Sequence, residues 1–230
     1  MKTHTIKPRV IVLGAGQGFK LDGLNKLLIK DPTTGDTIIE KYTQLFAGHA
    51  MTVVVGYKAV AVMSEYPKLN YVYNEDWRLT GNSYSLSLAL DDKPVIILSA
   101  DLIFDTEMVT LINTAPANAV ITFNAENKGL NTVRCKVKRN IVRALYLGEG
   151  FNNDPESPGI YKITDTRILR EWKKRCIANR NVFAGLNLPT DLSDIYAVDK
   201  RGSLLHEINT PIDYLNLISQ ATTQHQIERL

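Results

Sequence analysis

The chain has 230 residues, of which 44% are hydrophobic and 22% charged, and its formal net charge at pH 7 is only +3. This balance is typical of a soluble α/β globule with a real core, and the small charge gives no indication of nucleic-acid binding. The longest apolar stretches are far shorter than the roughly 20 residues that a membrane span needs. We therefore expect neither nucleic acid nor a membrane as a partner.

The cysteines and the N-terminal residues bear on the compartment. Cys135 and Cys176 stand apart in the sequence, which favours reduced thiols over a disulfide framework. The first residues lack the apolar run of a secretory signal peptide. A cytoplasmic protein is expected. The histidines have no Cys or His at zinc-binding spacing, so a structural zinc site is not indicated.

Strands and helices alternate in the first part of the chain. Apolar, often β-branched runs that end in glycine or polar residues predict strands at 9–13, 52–55, 70–73 and 94–98. Helical spacing and stop signals predict helices at 36–46, 58–65, 83–90 and 105–112. Asn82 or Ser83 is the expected cap of the third helix. The alternation predicts βαβ units and a mainly parallel sheet.

After residue 125 the pattern changes. Residues 132–137 and 141–147, separated by Arg139 and Asn140, predict an antiparallel hairpin. Further along the chain we predict a strand at 160–163, a helix at 165–178, a helical stretch at 191–197, a strand at 203–208 and a helix at 211–220. The sequence thus predicts one α/β domain, residues 1–230, with a mixed, mainly parallel sheet flanked by helices.

The strongest local signal is a glycine-rich loop after the first predicted strand, Gly14-Ala15-Gly16-Gln17-Gly18-Phe19-Lys20-Leu21. A dinucleotide fingerprint is excluded because Phe19 stands where its third glycine belongs, and a P-loop is excluded because Leu24 stands where its lysine belongs. The remaining interpretation is a loop whose backbone N–H groups cradle phosphates, flanked by Lys20 and Lys26. A plain structural turn is the alternative, but it does not explain three glycines together with two nearby lysines.

Four segments together resemble one family. The loop from Leu13 to Leu21, with Asn25-Lys26 after it, resembles the signature loop of GT-A-like nucleotidyltransferases. Later segments resemble those of bacterial choline-phosphate cytidylyltransferases and of relatives that activate phosphonates, including the cytidylyltransferase domain of fosfomycin biosynthesis. These segments are Asn74 with Gly81-Asn82-Ser83-Tyr84-Ser85-Leu86, Ser99-Ala100-Asp101, and Glu207-Ile208-Asn209-Thr210-Pro211-Ile212-Asp213-Tyr214.

The resemblance implies a Rossmann-like GT-A nucleotidyltransferase fold, with a CTP-binding half at 1–125 and an acceptor-binding, completing half at 126–230. It implies that Lys26 stands near the α-phosphate, that Lys20 holds the leaving phosphates, and that Asp101 binds Mg²⁺. Asn209 stands where the family commonly has a second metal-binding aspartate, and Glu207 lies on the same face of the same predicted strand. The implied nucleotide contacts are Leu13, Gly14, Ala15, Gly16, Gln17, Gly18, Asn74, Gly81, Asn82, Ser83 and Ser85.

The expected reaction transfers CMP from CTP to a small acceptor, namely 2-hydroxyethylphosphonate, 2-aminoethylphosphonate or choline phosphate. Tyr84, Glu149 and Tyr161 are the candidate acceptor contacts. Relatives are sometimes fused to, or work with, other enzymes of phosphonate metabolism. Two alternatives stay open: a sugar-1-phosphate nucleotidyltransferase that uses another nucleoside triphosphate, and a nucleotide-binding domain without catalysis. Single residues also have plainer interpretations, with Asp101 as a helix cap and Lys26 as a solvated lysine.

Overall fold

The computed structural model describes residues 7–124, 132–148 and 154–227. Its strands are β1 (Arg9–Gly14), β2 (Met51–Val55), β3 (Asn70–Tyr73), β4 (Val95–Ser99), β5 (Leu102–Phe104), β6 (Ala119–Thr122), β7 (Val133–Lys138), β8 (Ile141–Leu147), β9 (Tyr161–Ile163), β10 (Tyr196–Asp199) and β11 (Leu205–Glu207). Its helices are α1 (Ile38–Leu45), α2 (Ala59–Glu65), α3 (Asn82–Ala89), α4 (Thr106–Thr114), α5 (Thr166–Ala178) and α6 (Pro211–Ile227). Short 3₁₀ turns occur at Phe19–Leu21, Lys26–Leu28 and Ala184–Asn187.

Nine strands form one sheet in the order β3-β2-β1-β4-β9-β6-β10-β8-β7, and β11 pairs with β5 beside it. The strands from β3 to β4 are parallel, β9 runs antiparallel between β4 and β6, and β7–β8 is an antiparallel hairpin. The predicted fold class, a mixed α/β sheet flanked by helices, is confirmed. In the described part of the chain, no helix is both long enough and apolar enough to cross a lipid bilayer.

Both faces of the sheet are covered, because successive side chains of a strand point to opposite faces. On β1, Val10 and Val12 belong to one hydrophobic core and Ile11 and Leu13 to the other. Helices α1, α2 and α4 contribute to the first core, and α3 and α5 to the second. The carboxyl ends of β1 and β4 are thereby held side by side at one edge of the sheet, where ligands bind in open α/β folds.

Two sequence-based assignments are wrong. The predicted helical stretch at 191–197 is absent, because residues 196–199 form β10, which pairs with β6 and β8. Short apolar runs do not distinguish a helix from a strand, and here the partner strands decide. The predicted cap of α3 is also wrong, because Gly81 occupies the cap position. The Asn82 side chain instead accepts a hydrogen bond from the backbone N–H of Ala184, and the Ser83 hydroxyl accepts one from the Asn187 amide.

Arg134 is a fully buried charged side chain in the hairpin. Its guanidinium donates to the carbonyls of Gly148 (3.0 Å) and Asp154 (3.1 Å) and to the carboxylate of Glu156 (2.6 Å). Arg134 is 1% exposed and Glu156 is 5% exposed. The arginine therefore fastens the segment after residue 154, which forms one wall of the cleft described below, to β7.

Arg134→Met is expected to lower the free energy of unfolding by about 3–5 kcal/mol, because it leaves a buried carboxylate without its guanidinium. The matched control is Arg143→Met on β8, whose ion pair with Asp194 is exposed and spans 4.0 Å. That change is expected to cost less than about 1 kcal/mol. Urea unfolding measures both, and equal losses in the two variants would contradict the assignment.

Candidate functional site

A cleft of about 650 Å³ opens at the carboxyl ends of β1 and β4. One wall is the glycine-rich loop, which contributes Gln17, Gly18, Phe19 and Lys20, and the floor carries Lys26, Asp101, Glu207 and Asn209. The opposite wall comes from residues 157–159 and 183–185. Elements from both halves of the chain thus enclose a single cavity.

The glycine-rich loop leaves backbone donors free. Among the described residues, the N–H groups of Gly16 and Gln17 donate to no carbonyl. A Cβ added at Gly16 would meet no heavy atom within 4 Å, so this side of the loop is open. Unsatisfied N–H groups beside open space form an anion-binding concavity. The loop therefore has both the donors and the room that a phosphate group requires.

Asn25 fixes the start of the short helix that carries Lys26. Its buried amide donates to the carbonyl of Tyr57 (2.8 Å) and accepts from the N–H of Leu27 (3.0 Å). Asn25 stands where the resembled family usually has proline, and here hydrogen bonds replace the rigid ring. The loop conformation also depends on Asp22 and Gly23, both in the left-handed region with φ of 51° and 68°.

Lys26 joins two distant parts of the chain. Its ammonium group donates to Oδ2 of Asp101 and to Oδ1 of Asn209, each at 2.7 Å. The Asn209 amide in turn donates to the carboxylate of Glu207 at 2.6 Å. The sequence predicts these residues as site members, and the structure brings all four together. Hydrogen bonds connect the four side chains in the order Asp101–Lys26–Asn209–Glu207 across the floor of the cleft.

Asp101 and Asn209 meet because β11 runs beside β5. Glu207 is opposite Leu102 in that pairing, and the N–H of Ile208 donates to the carbonyl of Asp101 (2.8 Å). Asp213 accepts from the N–H groups of Asn209 and Thr210 (2.9 and 2.7 Å), which fixes the turn before α6. Asp101 does not cap α4, because the side chain of Asp105 accepts from that helix.

Tyr42 supports the turn that carries Asp101, and sequence reasoning did not identify it. Its buried hydroxyl lies 2.8 Å from the carbonyl of Ser99 and 2.9 Å from that of Leu102, on either side of Asp101. Burial, followed by the negative charge of Asp101, raises the pKa of Tyr42 well above its usual value. In the sequence Tyr42 shows only the helical spacing of a core residue.

The charges on the floor are unevenly satisfied. Oδ1 of Asp101 is buried and has no hydrogen-bond partner among the described residues. Glu207 keeps contact with solvent at the cleft surface, yet protein atoms crowd its carboxylate. This desolvation, with the nearby charge of Asp101, raises the pKa of Glu207 to about 7. The floor therefore has a buried oxygen of Asp101 without a partner among the described residues and a Glu207 carboxyl whose pKa is raised.

The donor set fits a hard divalent cation. In the described ranges no three His, Cys, Asp or Glu side chains cluster as a ready-made metal cage. Mg²⁺, however, is commonly held by one or two carboxylates together with substrate phosphates and water. The orphaned oxygen of Asp101, the amide oxygen of Asn209 and the carboxylate of Glu207 supply oxygens of this kind.

A second, smaller cavity of about 60 Å³ adjoins the cleft. It shares Leu13 and Asn82 with the cleft and is otherwise lined by Ala15, Gly16, Trp77, Thr80, Gly81 and Ser85. Asn74 lies just behind this lining, fully buried, and donates to the hydroxyls of Thr80 (3.2 Å) and Ser85 (3.0 Å). Thr80 was not identified from the sequence, since it has no distinctive local pattern.

Some predicted site residues line neither cavity. A Cβ at Gly14 would come within 2.4 Å of Leu27, so this glycine serves packing. Ser83 is fully buried against Asn187, and the Tyr84 ring lies under the guanidinium of Arg180, 3.9 Å from its centroid. Ser83 and Tyr84 therefore have no place in the proposed site. In α3 only Asn82 and Ser85, three residues apart, face the cavities.

The far end of the cleft holds the remaining candidates. Tyr161 lines it, nearly buried, with its hydroxyl 3.2 Å from that of Ser157. Glu149 lies outside the described residues. Phe19 on the loop, 78% exposed, and Phe183 on the opposite wall also line the cleft. The sequence did not single out either phenylalanine, since an exposed aromatic residue has no local signature.

No protein-family model matches the sequence, and no curated protein is significantly similar to it. Solved structures are similar in fold. A CTP:phosphocholine cytidylyltransferase from Streptococcus pneumoniae is 17% identical with a TM-score of 0.71, over 93% of this chain and 99% of that one. The inositol-1-phosphate CTP transferase from T. maritima is 16% identical with a TM-score of 0.69, over 93% and 95%.

A putative glucose-1-phosphate thymidylyltransferase from Bacillus anthracis is 13% identical with a TM-score of 0.72, over 94% of this chain and 95% of that one. At these identities the similarity concerns the fold. The chain therefore has a fold that these nucleotidyltransferases share along almost their whole length.

Proposed function

We propose that this chain is a magnesium-dependent nucleotidyltransferase that transfers CMP from CTP to a small phosphonate or phosphate acceptor. The observation that carries the proposal is the convergence of a loop with free N–H groups, Lys26 and Asp101 on one cleft. The acceptors are 2-hydroxyethylphosphonate, 2-aminoethylphosphonate or choline phosphate. The choice of cytidine and of these acceptors rests on the resemblance of the segments around Asn74 and Asn82.

In the proposed reaction an acceptor oxygen attacks the α-phosphorus in line. The bond from that phosphorus to the bridging oxygen breaks, and pyrophosphate leaves with the electron pair. Negative charge accumulates on the phosphate oxygens, so positioned cations and N–H donors stabilise the transition state. The free N–H groups of Gly16 and Gln17 hold phosphate oxygens, Lys20 binds the leaving phosphates, and Lys26 lies beside the α-phosphate and the incoming oxygen.

A Mg²⁺ ion held by Asp101, with Asn209 and Glu207 nearby, would neutralise charge on the phosphates when bound. Lys26 donates a hydrogen bond to Asp101. Two of the three ammonium hydrogens are used by Asp101 and Asn209, so one remains for a phosphate oxygen of the triphosphate. No general base is needed, because a phosphate monoester with a second pKa of about 6 is largely ionised at neutral pH.

A second candidate is a sugar-1-phosphate nucleotidyltransferase that uses another nucleoside triphosphate. It is favoured by the fold similarity to the putative thymidylyltransferase, whose TM-score is 0.72 against 0.71 for the cytidylyltransferase. A third is a nucleotide-binding domain without turnover, for which Asn209 in place of an acidic ligand is the supporting observation.

The test is pyrophosphate release with each of CTP, UTP, GTP and dTTP against a panel of phosphonates, choline phosphate and sugar 1-phosphates, in the presence of Mg²⁺. Release with CTP and a phosphonate or choline phosphate is the expected result. Release only with a sugar 1-phosphate supports the second candidate, and nucleotide binding without release supports the third. Removal of the metal by EDTA is expected to abolish release.

A further inference from the structure

The small cavity beside the cleft contains two hydrogen-bonding side chains with fixed polarity, and they indicate which base fits there. The cavity lies next to the free N–H groups of the loop and opens where it shares Leu13 and Asn82 with the cleft. Leu13, Ala15 and Trp77 form apolar walls suited to a flat ring.

The first fixed group is the Ser85 hydroxyl. The Thr80 hydroxyl donates its one hydrogen to the carbonyl of Asp76 (2.9 Å), so Thr80 can only accept from Asn74. The nitrogen of the Asn74 amide must therefore face Thr80, and the same nitrogen lies 3.0 Å from Ser85. Ser85 consequently accepts with one of its two lone pairs, and its hydrogen is left without an acceptor among the described residues.

The second fixed group is the Asn82 amide. Its oxygen accepts from the backbone N–H of Ala184 at 2.7 Å. Because an amide has one oxygen and one nitrogen, the remaining group is an N–H donor on the side of the cavities. Ser85 and Asn82, three residues apart on one face of α3, thus both act as donors.

The Asn74 amide carries a cost that a purely structural role does not explain. Its oxygen is buried and has no partner among the described residues. An unsatisfied buried acceptor destabilises a protein by about 1–3 kcal/mol. Such groups are uncommon and call for an explanation. The Asn74 amide orientation that leaves its oxygen unpaired is the same one that places its nitrogen against Ser85 and so leaves the Ser85 hydrogen for a ligand.

We propose that Asn74 is a positioning residue that selects cytosine over uracil by fixing the Ser85 hydroxyl as a donor. This inference rests on the proposed function. Cytosine presents two adjacent acceptors, its 2-oxo group and its unprotonated N3, which match two donors. Uracil has an N–H at position 3, which can bond only the remaining lone pair of Ser85 and leaves the Ser85 hydrogen without an acceptor. Asn74 acts from behind the cavity and does not contact the base.

The experiment measures the affinities of the full chain for CTP and UTP by calorimetry in Mg²⁺, without an acceptor. Wild-type protein is expected to bind CTP at least about tenfold more tightly than UTP, as one buried hydrogen bond allows. Ser85→Ala removes the donor and is expected to bring the ratio close to one. In Asn74→Asp the carboxylate accepts from Ser85, whose lone pairs then face the cavity, so the ratio is expected to fall at least about tenfold.

Two further variants separate positioning from general damage. Ser87→Ala is the matched control, because the Ser87 hydroxyl is in the same helix but donates to the carbonyl of Tyr84 and lines neither cavity. Its CTP-to-UTP ratio is expected to equal that of the wild type. A variant that carries both Asn74→Asp and Ser85→Ala is expected to have the same CTP-to-UTP affinity ratio as Ser85→Ala alone. The reason is that Asn74 affects the base only through Ser85.

The inference is overturned if wild-type protein binds CTP and UTP equally, or if Ser85→Ala, folded by circular dichroism, keeps the wild-type ratio. It is also overturned if Asn74→Asp lowers the CTP-to-UTP affinity ratio by the same factor in the wild-type protein and in the Ser85→Ala variant. Should the wild-type protein bind neither nucleotide, the proposed function itself is refuted, which distinguishes the two failures.

Discussion

Lys26→Ala is expected to lower the rate of nucleotidyl transfer by about 10³-fold. A single cation that stabilises a transferring phosphoryl group contributes a factor of this size. The same change is expected to increase the affinity of the nucleotide-free protein for Mn²⁺, a spectroscopic substitute for Mg²⁺. Lys26 binds Asp101 and Asn209 at 2.7 Å each, so the ammonium group competes with a metal for both oxygens. Steady-state pyrophosphate release and electron paramagnetic resonance measure the two effects.

Lys30→Ala is the control for this variant. Lys30 is exposed, lies four residues further along the chain, and does not line the cleft. Its removal is expected to leave both turnover and Mn²⁺ affinity unchanged. If Lys26→Ala turned over at a rate within tenfold of the wild type, the proposed catalytic role of Lys26 would be contradicted. This holds whatever the Mn²⁺ affinity of the variant. Thermal unfolding monitored by circular dichroism verifies that each variant is folded.

Asp101→Asn is expected to lower turnover by at least about 10²-fold. The substitution preserves the size of the side chain but removes the negative charge that a hard cation requires, and metal-based charge stabilisation is worth several kcal/mol. Because Lys26 retains its hydrogen bond to Asn209, the floor of the cleft is expected to keep its geometry. The Mg²⁺ concentration for half-maximal rate should rise, while binding of CMP without metal should change little.

Asp105→Asn is the matched control for Asp101. Asp105 lies four residues later, caps α4 by accepting from the N–H of Met108 (2.9 Å), and lines neither cavity. This substitution tests stability and not catalysis. Its Mg²⁺ dependence is expected to equal that of the wild type, since asparagine is also a good cap. Identical Mg²⁺ dependence in Asp101→Asn and the wild type would contradict a metal-binding role for Asp101.

The individual site residues differ in how far the sequence could identify them. Lys26 and Asp101 were singled out because their segments resemble those of a known family, and the structure places both on the floor of one cleft. Tyr42 has no such signal, because its role depends on carbonyl groups 57 and 60 residues away. Thr80 has local partners, but a single loop threonine has no distinctive pattern. Ser83 lies between the cavity residues Asn82 and Ser85 in the sequence, yet on α3 its side chain points into the protein core.

The sequence by itself determined the βαβ order, the glycine-rich loop after β1 and the β7–β8 hairpin, because periodicity, glycines and turn residues act over short distances. Only the tertiary structure decided that residues 196–199 form a strand, since its partners β6 and β8 come from elsewhere in the chain. The same holds for the floor of the cleft, where Lys26 meets a carboxylate 75 residues away and an amide 183 residues away. Such contacts arise from strand pairing between β5 and β11, and no local propensity encodes which strands pair.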